Sequence, residues 1–259
     1  MAHGWDAAEV TAHIRDVTDD EVAFYHENGW VKLDRLISPE LAAELMRVGL
    51  ETSDRPGGWE SMATAPGVEP FRSMVFGERM GRNAARLVDR RRLTDADIAL
   101  RYRNDHLVRR DPGDEHGTPY HQDSAEHGSD RAGELQFWLA LDEVTPEMGA
   151  MRFLSGVHRE GPLGSGAFHD DLLRQYPKLT GLYDFSPPFH YQPGDATVHH
   201  GYMIHGAPAN STDRSRWSYI YSYTPADTRW WNGEMKNWGS ERRQLSDATN
   251  PIVYPVPAR

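Results

Sequence analysis

The strongest constraint on the fold is a change of pattern along the chain, from helical signals in its N-terminal part to short β runs in the rest. About seven such runs follow one another, several of them separated by turn clusters rich in Pro, Gly and Asp. They span residues 98–103, 118–124, 135–144, 150–154, 197–200, 203–206 and 217–224. Helices followed by a series of strands predict a mainly β fold with flanking helices, a β barrel or jelly roll with a helical N-terminal buttress.

Three helices are predicted before the β runs. Thr18 and Glu21 form a capping box that opens a helix ending at Gly29, and a short strand follows. Ser38 caps a second helix, and a third is expected over residues 73–89. The side chains expected to be buried on the second and third helices are Leu41, Leu45, Val48, Phe76, Met80, Ala84 and Leu87.

Composition sets the size and class of the protein. The 259 residues are 38% hydrophobic and show no internal repeat or linker, which predicts a single domain with its core over residues 18–224. Residues 1–17 are expected to form a loose lead-in, and residues 51–68 a loop that could lie over a site. No apolar run approaches the roughly 20 residues of a membrane helix, and the N-terminus lacks the features of a secretion signal. A soluble cytoplasmic protein is expected.

Charge and cysteine content exclude several kinds of partner and site. The net charge of −11 is spread along the chain, which disfavours nucleic acid as a partner and argues mildly against a polyanionic substrate such as an acyl-CoA. The chain has no Cys, so it can form neither disulfides nor thiolate metal sites. Any metal must therefore be held by His and carboxylate ligands.

His121 and Asp123 are the first candidate ligands. They are separated by one residue in an extended segment, so both side chains project from the same face of the strand. Such a pair supplies two members of the 2-His-1-carboxylate triad that holds non-haem Fe(II) and leaves positions open. With 13 His and 39 acidic residues in the chain, the same pair also arises by chance on a surface turn. A third ligand is needed to decide between the two interpretations.

A candidate third ligand lies downstream, in a segment that begins with a turn at residues 193–195. A strand follows this turn, and then His205 stands before Gly206. Arg216 comes later, at the start of another predicted strand. A guanidinium is a fixed, bidentate and permanently charged partner for a carboxylate, as binding of a 2-oxo dicarboxylic acid requires. Alone, Arg216 would equally suit a surface ion pair.

Taken together, His121-Gln122-Asp123, His205-Gly206 and Arg216 resemble the phytanoyl-CoA dioxygenase family of Fe(II)/2-oxoglutarate-dependent oxygenases. The resemblance extends to residues 22–33 with Ser38-Pro39-Glu40, to residues 137–142 and to residues 148–158, and covers about residues 18–224. The motifs are individually short, but their order and spacing are specific. The resemblance implies a double-stranded β-helix, the cupin-like form of the jelly roll.

The resemblance also implies roles for particular residues. It makes His121, Asp123 and His205 the iron ligands and Arg216 the anchor of 2-oxoglutarate, with Trp138 and Gln122 beside the iron and the cosubstrate. The cofactors implied are Fe(II), 2-oxoglutarate and O2, with ascorbate as an optional reductant. Relatives that act as halogenases have a small residue in place of the Asp, so a carboxylate here favours oxygenation.

One position departs from the family pattern. The family often has Ser or Thr two residues after the distal His, where the hydroxyl helps Arg to hold the distal carboxylate, and this chain has Ala207. Asn104, Tyr219 or a water molecule are the candidate replacements. Asn104 shares one face of its predicted strand with Tyr102, so both could point inward.

Other His and aromatic residues have weaker claims to a role. His199 and His200 are adjacent and so face opposite ways on a strand, which makes turn packing the expected role of both. His116 and Tyr120 could touch substrate, and His158 is expected to be structural. The remaining features are His127 in a loop, residues 229–232 as a lid, an oligomer contact or plain core packing, and substrate loops at 51–72, 111–118, 125–133 and 225–238.

The sequence therefore predicts an oxygenase that hydroxylates a small molecule and releases succinate and CO2. The substrate is expected to be a secondary metabolite, a modified amino acid or a sugar-like compound, and desaturation, epoxidation or ring formation are alternative outcomes. A cupin-like metal protein without 2-oxoglutarate and a catalytically silent binding module remain alternatives. A serine hydrolase is disfavoured because no Gly-x-Ser-x-Gly motif occurs.

Overall fold

A computed structural model describes residues 5–53, 61–63, 67–88, 99–113, 116–124, 132–163, 171–228 and 251–254. The helices are α1 (Ala7–Ala12), α2 (Asp19–Asn28), α3 (Pro39–Thr52), α4 (Phe71–Val75), α5 (Glu78–Leu87) and α6 (Leu172–Gln175). The strands are β1 (Trp30–Leu33), β2 (Leu100–Arg110), β3 (Thr118–His121), β4 (Leu135–Ala140), β5 (Arg152–Phe153), β6 (Ala196–His200), β7 (His205–Ala207), β8 (Arg216–Pro225) and β9 (Ile252–Tyr254). Short 3-10 turns lie at Pro146–Met148, Val157–Glu160 and Pro177–Gly181.

Two antiparallel sheets form the body of the described structure. The larger has six strands in the order β1-β6-β4-β8-β2-β9, and the smaller has three in the order β3-β7-β5. The non-consecutive neighbours mean that the chain crosses repeatedly between the sheets, as in a jelly roll. The predicted fold class, mainly β with flanking helices, is confirmed. Among the described residues, no helix has the length and apolarity that crossing a membrane requires.

The six-stranded sheet has two faces with different partners, and strand β8 shows the division. Tyr219, Tyr221 and Tyr223 project to one side, into the hydrophobic cluster formed with the N-terminal helices. Ile220 projects to the other side, into a second cluster shared with the three-stranded sheet. Side chains alternate along a strand, so the residues of β8 with even numbers face the space between the sheets.

Local signals explain the well-predicted helices. Thr18 and Glu21 form the capping box that opens α2, and Gly29 ends it with φ 76°, a conformation that favours glycine. Ser38 caps α3 with Pro39 at its first turn. These signals act over three or four residues and depend little on the rest of the fold.

Two N-terminal predictions were wrong. Residues 1–17, expected to be a loose lead-in, contain α1, whose Val10 is fully buried in the helical cluster. The single helix expected over residues 73–89 is two helices, α4 and α5, that meet at Gly77. A Cβ at Gly77 would lie 2.6 Å from the carbonyl oxygen of Ser73, so the chain passes too close to the preceding helix for another residue.

A β-bulge corrects the expectation that Tyr102 and Asn104 share a face. Tyr102 pairs with Tyr223 and Asn104 pairs with Ser222, so one extra residue of β2 is accommodated between them. Tyr102 consequently points towards the helices, whereas Asn104 accepts a hydrogen bond from Ser222 Oγ on the inner face. Strand β2 then continues to Arg110, well beyond the predicted end at residue 103.

Asp105 holds part of the predicted loop 51–68 against the sheet. This buried carboxylate accepts hydrogen bonds from Ser61 Oγ at 2.6 Å and from the backbone N–H groups of Met62 and Ala63 at 2.7 and 2.9 Å. The hydroxyls of Tyr102 and Tyr219 also donate to it. Residues 61–63 therefore lie on the helical side of the large sheet, opposite the space between the sheets.

Candidate metal centre

The structure brings together the three predicted metal ligands. His121 ends β3 and stands directly opposite His205, which begins β7, while Asp123 follows β3 by two residues. One potential ligand atom from each of the three residues lies within 4.8 Å of the others. Asp123 Oδ1 is 3.3 Å from His121 Nε2 and 3.7 Å from His205 Nε2. All three side chains are buried.

Backbone carbonyls fix the tautomers of both imidazoles. His121 Nδ1 is 2.8 Å from the carbonyl oxygen of Pro119, and His205 Nδ1 is 3.1 Å from that of Met203. A carbonyl oxygen only accepts, so Nδ1 carries the proton in each ring and Nε2 presents its lone pair. Two lone pairs and a carboxylate oxygen therefore converge on one point, an arrangement that a cation would stabilise.

Protonation states in the cluster also suit a cation. Burial would raise the pKa of Asp123, but the surrounding His rings favour its ionised form, His199 through a hydrogen bond to Oδ2, and the pKa lies well below its ordinary value. Burial, with the neighbouring imidazoles, lowers the pKa of His205 well below its ordinary value despite the opposing effect of Asp123. The carboxylate is thus ionised and the His205 imidazole neutral, as metal ligands must be.

His199 lies in this cluster, contrary to its expected role in turn packing. Its Nε2 is 2.9 Å from Asp123 Oδ2, and its ring centroid is 4.2 Å from that of His205. The expected role fits His200, whose Nδ1 accepts from the N–H of Tyr202 in the turn after β6. The adjacent residues do face opposite ways, but only the pairing of β6 with its neighbours decides which one faces inward.

Arg216 and Trp138 lie together on the inner face of the large sheet. Arg216 is 4% exposed, and its Cζ is 5.2 Å from the centroid of the Trp138 ring. Its Nε donates to the carbonyl oxygen of Met148 at 3.0 Å. Trp138 shares its hydrophobic cluster with Phe153, whose ring centroid is 6.1 Å from that of His205. The guanidinium and the His cluster thus belong to the same interior.

Three buried hydroxyls lie near Arg216, those of Tyr191, Thr197 and Ser218, and among the described residues the Ser218 hydroxyl has no hydrogen-bond partner. Ser218 shares the inner face of β8 with Arg216. Thr197 on β6 pairs with Trp138 on the neighbouring strand β4. Burial raises the pKa of Tyr191, against smaller effects of the Thr197 hydroxyl and the Arg216 charge. A buried hydroxyl without a partner is costly, so these groups suit a polar ligand beside the guanidinium.

Of the replacements considered for the hydroxyl missing at Ala207, Tyr219 is excluded and Asn104 is already bonded. The Tyr219 hydroxyl donates to Asp105 at 2.7 Å on the helical side of the sheet. Asn104 accepts from Ser222 Oγ. Sequence alternation could have identified Ser218 instead, because it follows Arg216 by two residues on the same strand.

A comparison with known protein families decides the family. The model described as phytanoyl-CoA dioxygenase matches residues 25–218, well over half of the chain. The chain belongs to the phytanoyl-CoA dioxygenase family. The resemblance expected from the sequence is confirmed.

Curated members of this phytanoyl-CoA dioxygenase family match a shorter segment. A phytanoyl-CoA dioxygenase domain-containing protein 1 homolog from Caenorhabditis briggsae is 31% identical over 117 residues, covering 41% of this chain and 39% of that protein. The Danio rerio protein of that name is 27% identical over 116 residues, covering 42% of this chain and 38% of the relative. The matched segment thus spans about two fifths of these relatives.

Solved structures of Fe/2-oxoglutarate-dependent enzymes share the fold. The carbocyclase SnoK from nogalamycin biosynthesis has a TM-score of 0.72 at 20% identity, covering 97% of this chain and 99% of that chain. The epimerase SnoN, in complex with Fe3+, α-ketoglutarate and nogalamycin RO, has a TM-score of 0.67 at 21% identity, covering 91% and 98%. EvdO2 from Micromonospora carbonacea var. aurantiaca, complexed with 2-oxoglutarate, has a TM-score of 0.61 at 19% identity, covering 85% and 95%.

Gln122 lies between two candidate ligands in sequence, but its amide is engaged on the other side of the strand. Its Nε2 donates to the carbonyl oxygens of Gly161 at 3.0 Å and Tyr202 at 2.7 Å, and its Oε1 accepts from the N–H of Leu163 at 2.8 Å. Both amide protons are thus used in holding the backbone. The contacts of Gln122 give it a structural role and provide no support for the cofactor-binding role implied by the resemblance.

The other residues and loops for which the sequence suggested a role lie away from the cluster of His121, Asp123 and His205 or outside the described residues. Tyr120 neighbours His121 on β3 and so faces the opposite way, with its ring centroid 5.4 Å from that of Phe185. His116 is exposed, and His158 is buried with its ring 5.5 Å from that of His200, which fits its expected structural role. Outside the described residues lie His127, residues 229–232, and most of the predicted substrate loops at 125–133 and 225–238.

Proposed function

We propose that this chain is an Fe(II)/2-oxoglutarate-dependent oxygenase that acts on a small molecule. The observation that carries the proposal is the convergence of His121 Nε2, His205 Nε2 and Asp123 Oδ1 in a buried cluster. Two neutral imidazoles and one carboxylate are the donor set of the facial triad, which leaves positions open on non-haem Fe(II). Zinc and other divalent metals can bind the same donors, so the choice of iron rests on the family and on the buried guanidinium of Arg216 in the same interior.

The buried polar groups around Arg216 are the second element of the proposal. The guanidinium of Arg216, with its Nε held by Met148, can take one end of a dicarboxylate in a bidentate manner. Tyr191, Thr197 and Ser218 offer buried hydroxyls for the same carboxylate, and that of Ser218 has no other partner among the described residues. Trp138 provides an apolar wall under the guanidinium. These groups fit 2-oxoglutarate, whose distal carboxylate needs both charge and hydrogen bonds in a buried place.

The protein would contribute binding, orientation and protection, and the metal the oxidising power. When bound, Fe(II) supplies O2 chemistry that converts 2-oxoglutarate into succinate and CO2 and oxidises an unactivated C–H bond. His121 and His205 keep their Nε2 lone pairs available because Pro119 and Met203 hold the Nδ1 protons. The burial of the cluster excludes bulk water from the reacting centre.

Hydroxylation is the proposed outcome, with a secondary metabolite or an amino-acid-like or sugar-like compound as substrate. SnoK is a carbocyclase and SnoN an epimerase, so related folds also serve ring formation and inversion of a stereocentre. The complex of SnoN with nogalamycin RO supports a small-molecule substrate here. Ascorbate is proposed only as a reductant that keeps iron in the ferrous state.

Anaerobic reconstitution with Fe(II), followed by 2-oxoglutarate and O2, tests the proposal. Mass spectrometry should detect succinate that depends on both O2 and Fe(II), and Asp123→Ala should abolish it. The control Asp213→Ala, at an exposed carboxylate on the approach to β8, should behave as the parent. Full turnover by Asp123→Ala would refute the ligand assignment. Metal binding without any binding of 2-oxoglutarate would favour a cupin-like protein instead.

A further inference from the structure

We infer that His199 is a positioning residue that holds Asp123 so that only one carboxylate oxygen, Oδ1, is available to the metal. The inference rests on the proposed metal site. The two oxygens of Asp123 have different surroundings: Oδ1 faces the Nε2 atoms of His121 and His205, while Oδ2 is 2.9 Å from His199 Nε2.

The tautomer of His199 is the reverse of that of the two candidate ligands. Its buried Nδ1 has no hydrogen-bond partner among the described residues, whereas Nδ1 of His121 and of His205 each donates to a carbonyl oxygen. A neutral ring with its proton on Nδ1 would place an Nε2 lone pair against Asp123 Oδ2. The proton therefore belongs on Nε2, from which it is donated to the carboxylate.

A ring that donates through Nε2 has no Nε2 lone pair to offer a metal. His199 also lies outside the set of ligand atoms that converge within 4.8 Å, which consists of His121, Asp123 and His205. It is nevertheless fully buried, with its ring centroid 5.4 Å from that of Phe153, so packing holds it in place. His199 thus acts on the metal through Asp123.

The hydrogen bond from His199 to Asp123 affects how many coordination positions remain open on the metal. A carboxylate free to rotate can bind a metal through both oxygens and so occupy a position that the cosubstrate or O2 needs. A hydrogen bond to Oδ2 opposes that second contact and keeps the carboxylate in one orientation. Outer partners of metal ligands commonly have such an effect, and their removal costs about 10- to 100-fold in metal affinity or activity.

Two variants and a control test the inference. His199→Phe keeps a flat ring without a donor, and His199→Gln has an amide N–H that can replace Nε2–H. The control is His200→Asn. Asn at 200 keeps an acceptor for the Tyr202 N–H and removes a buried imidazole on the opposite face of β6. Co(II) is the probe, titrated without 2-oxoglutarate and followed by its visible spectrum. Crystal structures of the Co(II)-loaded parent and His199→Phe then give the number of Asp123 oxygens on the metal.

His199→Phe should bind Co(II) about 10- to 100-fold more weakly, with an altered spectrum and Asp123 bound through both oxygens or rotated. His199→Gln should restore parental affinity to within about threefold, and His200→Asn should match the parent. Parental affinity and spectrum in His199→Phe, or coordination of the metal by His199 itself, would overturn the inference. Co(II) binding with the predicted variant pattern but no succinate formation would overturn the oxygenase proposal alone. Failure of the parent to bind Co(II) would overturn both.

Discussion

The guanidinium of Arg216 lies over the indole ring of Trp138, with Cζ 5.2 Å from the ring centroid. The two residues come from adjacent strands of the large sheet, β8 and β4. A buried cation over an indole is stabilised by about 2 kcal/mol, and the bond from Nε to Met148 fixes the plane of the guanidinium. Arg216 is therefore held in place before a ligand arrives, which reduces the entropic cost of binding one.

Replacing Arg216 should weaken binding of 2-oxoglutarate more than it weakens binding of the metal. Arg216→Met should raise the dissociation constant about 30-fold or more, because truncating one partner of a buried charge pair costs about 2 to 5 kcal/mol. Arg216→Lys should recover only part of this loss, since an ammonium lacks the bidentate fork. Anaerobic calorimetry measures both constants. Arg214→Gln, at a half-exposed ion pair with Glu143, is the matched control and should leave both unchanged.

The hydroxyl of Ser218 should compensate for the one missing at Ala207. Ser218→Ala should weaken 2-oxoglutarate binding by about 1.5 kcal/mol or more, or at least about tenfold, since a single hydrogen bond to a charged carboxylate is lost. Adding Ala207→Ser to this variant should restore part of the affinity. The same calorimetric titration serves as the readout. Unchanged affinity in Ser218→Ala would assign the role to Tyr191, Thr197 or water instead.

Asp105 should be among the residues on which folding depends most. Asp105→Ala removes the acceptor of five hydrogen bonds from the sheet and from residues 61–63, and should reduce the free energy of unfolding by about 3 kcal/mol or more. Tyr219→Phe removes one of the donors and should cost about 1 kcal/mol. Urea denaturation measures both. Asp111→Asn, at an exposed carboxylate paired with Arg109, should stay within about 0.5 kcal/mol of the parent.

Glu21 should contribute stability that disappears in acid. Burial would raise its pKa, but hydrogen bonds from Arg15 and from the Thr18 N–H lower it below its ordinary value of 4.5. A lowered folded-state pKa means that the contribution is fully present above pH 4.5 and is lost as the pH falls through the folded value. Glu21→Gln should therefore be less stable than the parent by roughly 0.5 to 1 kcal/mol at neutral pH. A series of urea midpoints from neutral pH to about pH 3 should show this difference shrinking, and a constant difference would contradict the account.

The sequence predicted most reliably those features whose causes are local. The caps at Thr18 and Ser38 lie within one turn of the helices that they begin, and β8 was recognised from its own run of residues. The predicted boundaries of β8, 217–224, differ from the observed strand by one residue at each end. Short-range chemistry determines these features, so short-range patterns reveal them.

Features that depend on the pairing of two distant segments could not be predicted from local sequence patterns. The bulge at Tyr102 and Asn104 exists because β2 must match β8, and it reverses the expected orientation of Tyr102. The inward orientation of His199 follows from the register of β6 against β4, which nothing in residues 196–200 encodes alone. His121, Asp123 and His205 were predicted to be ligands from their spacing and from family resemblance, whereas the contact of His199 with Asp123 arises only in the folded chain.

Side chains of strand β8 alternate between two surroundings. Its tyrosines pack against the helices, and Arg216, Ser218 and Ile220 face the space between the sheets. Substitutions at the inward positions can therefore change the interior beside the proposed site while the tyrosine side continues to anchor the helices. A library randomised at Ile220 and Ser222 should consequently be rich in folded proteins with new substrate preferences, whereas one randomised at Tyr221 and Tyr223 should be rich in aggregates.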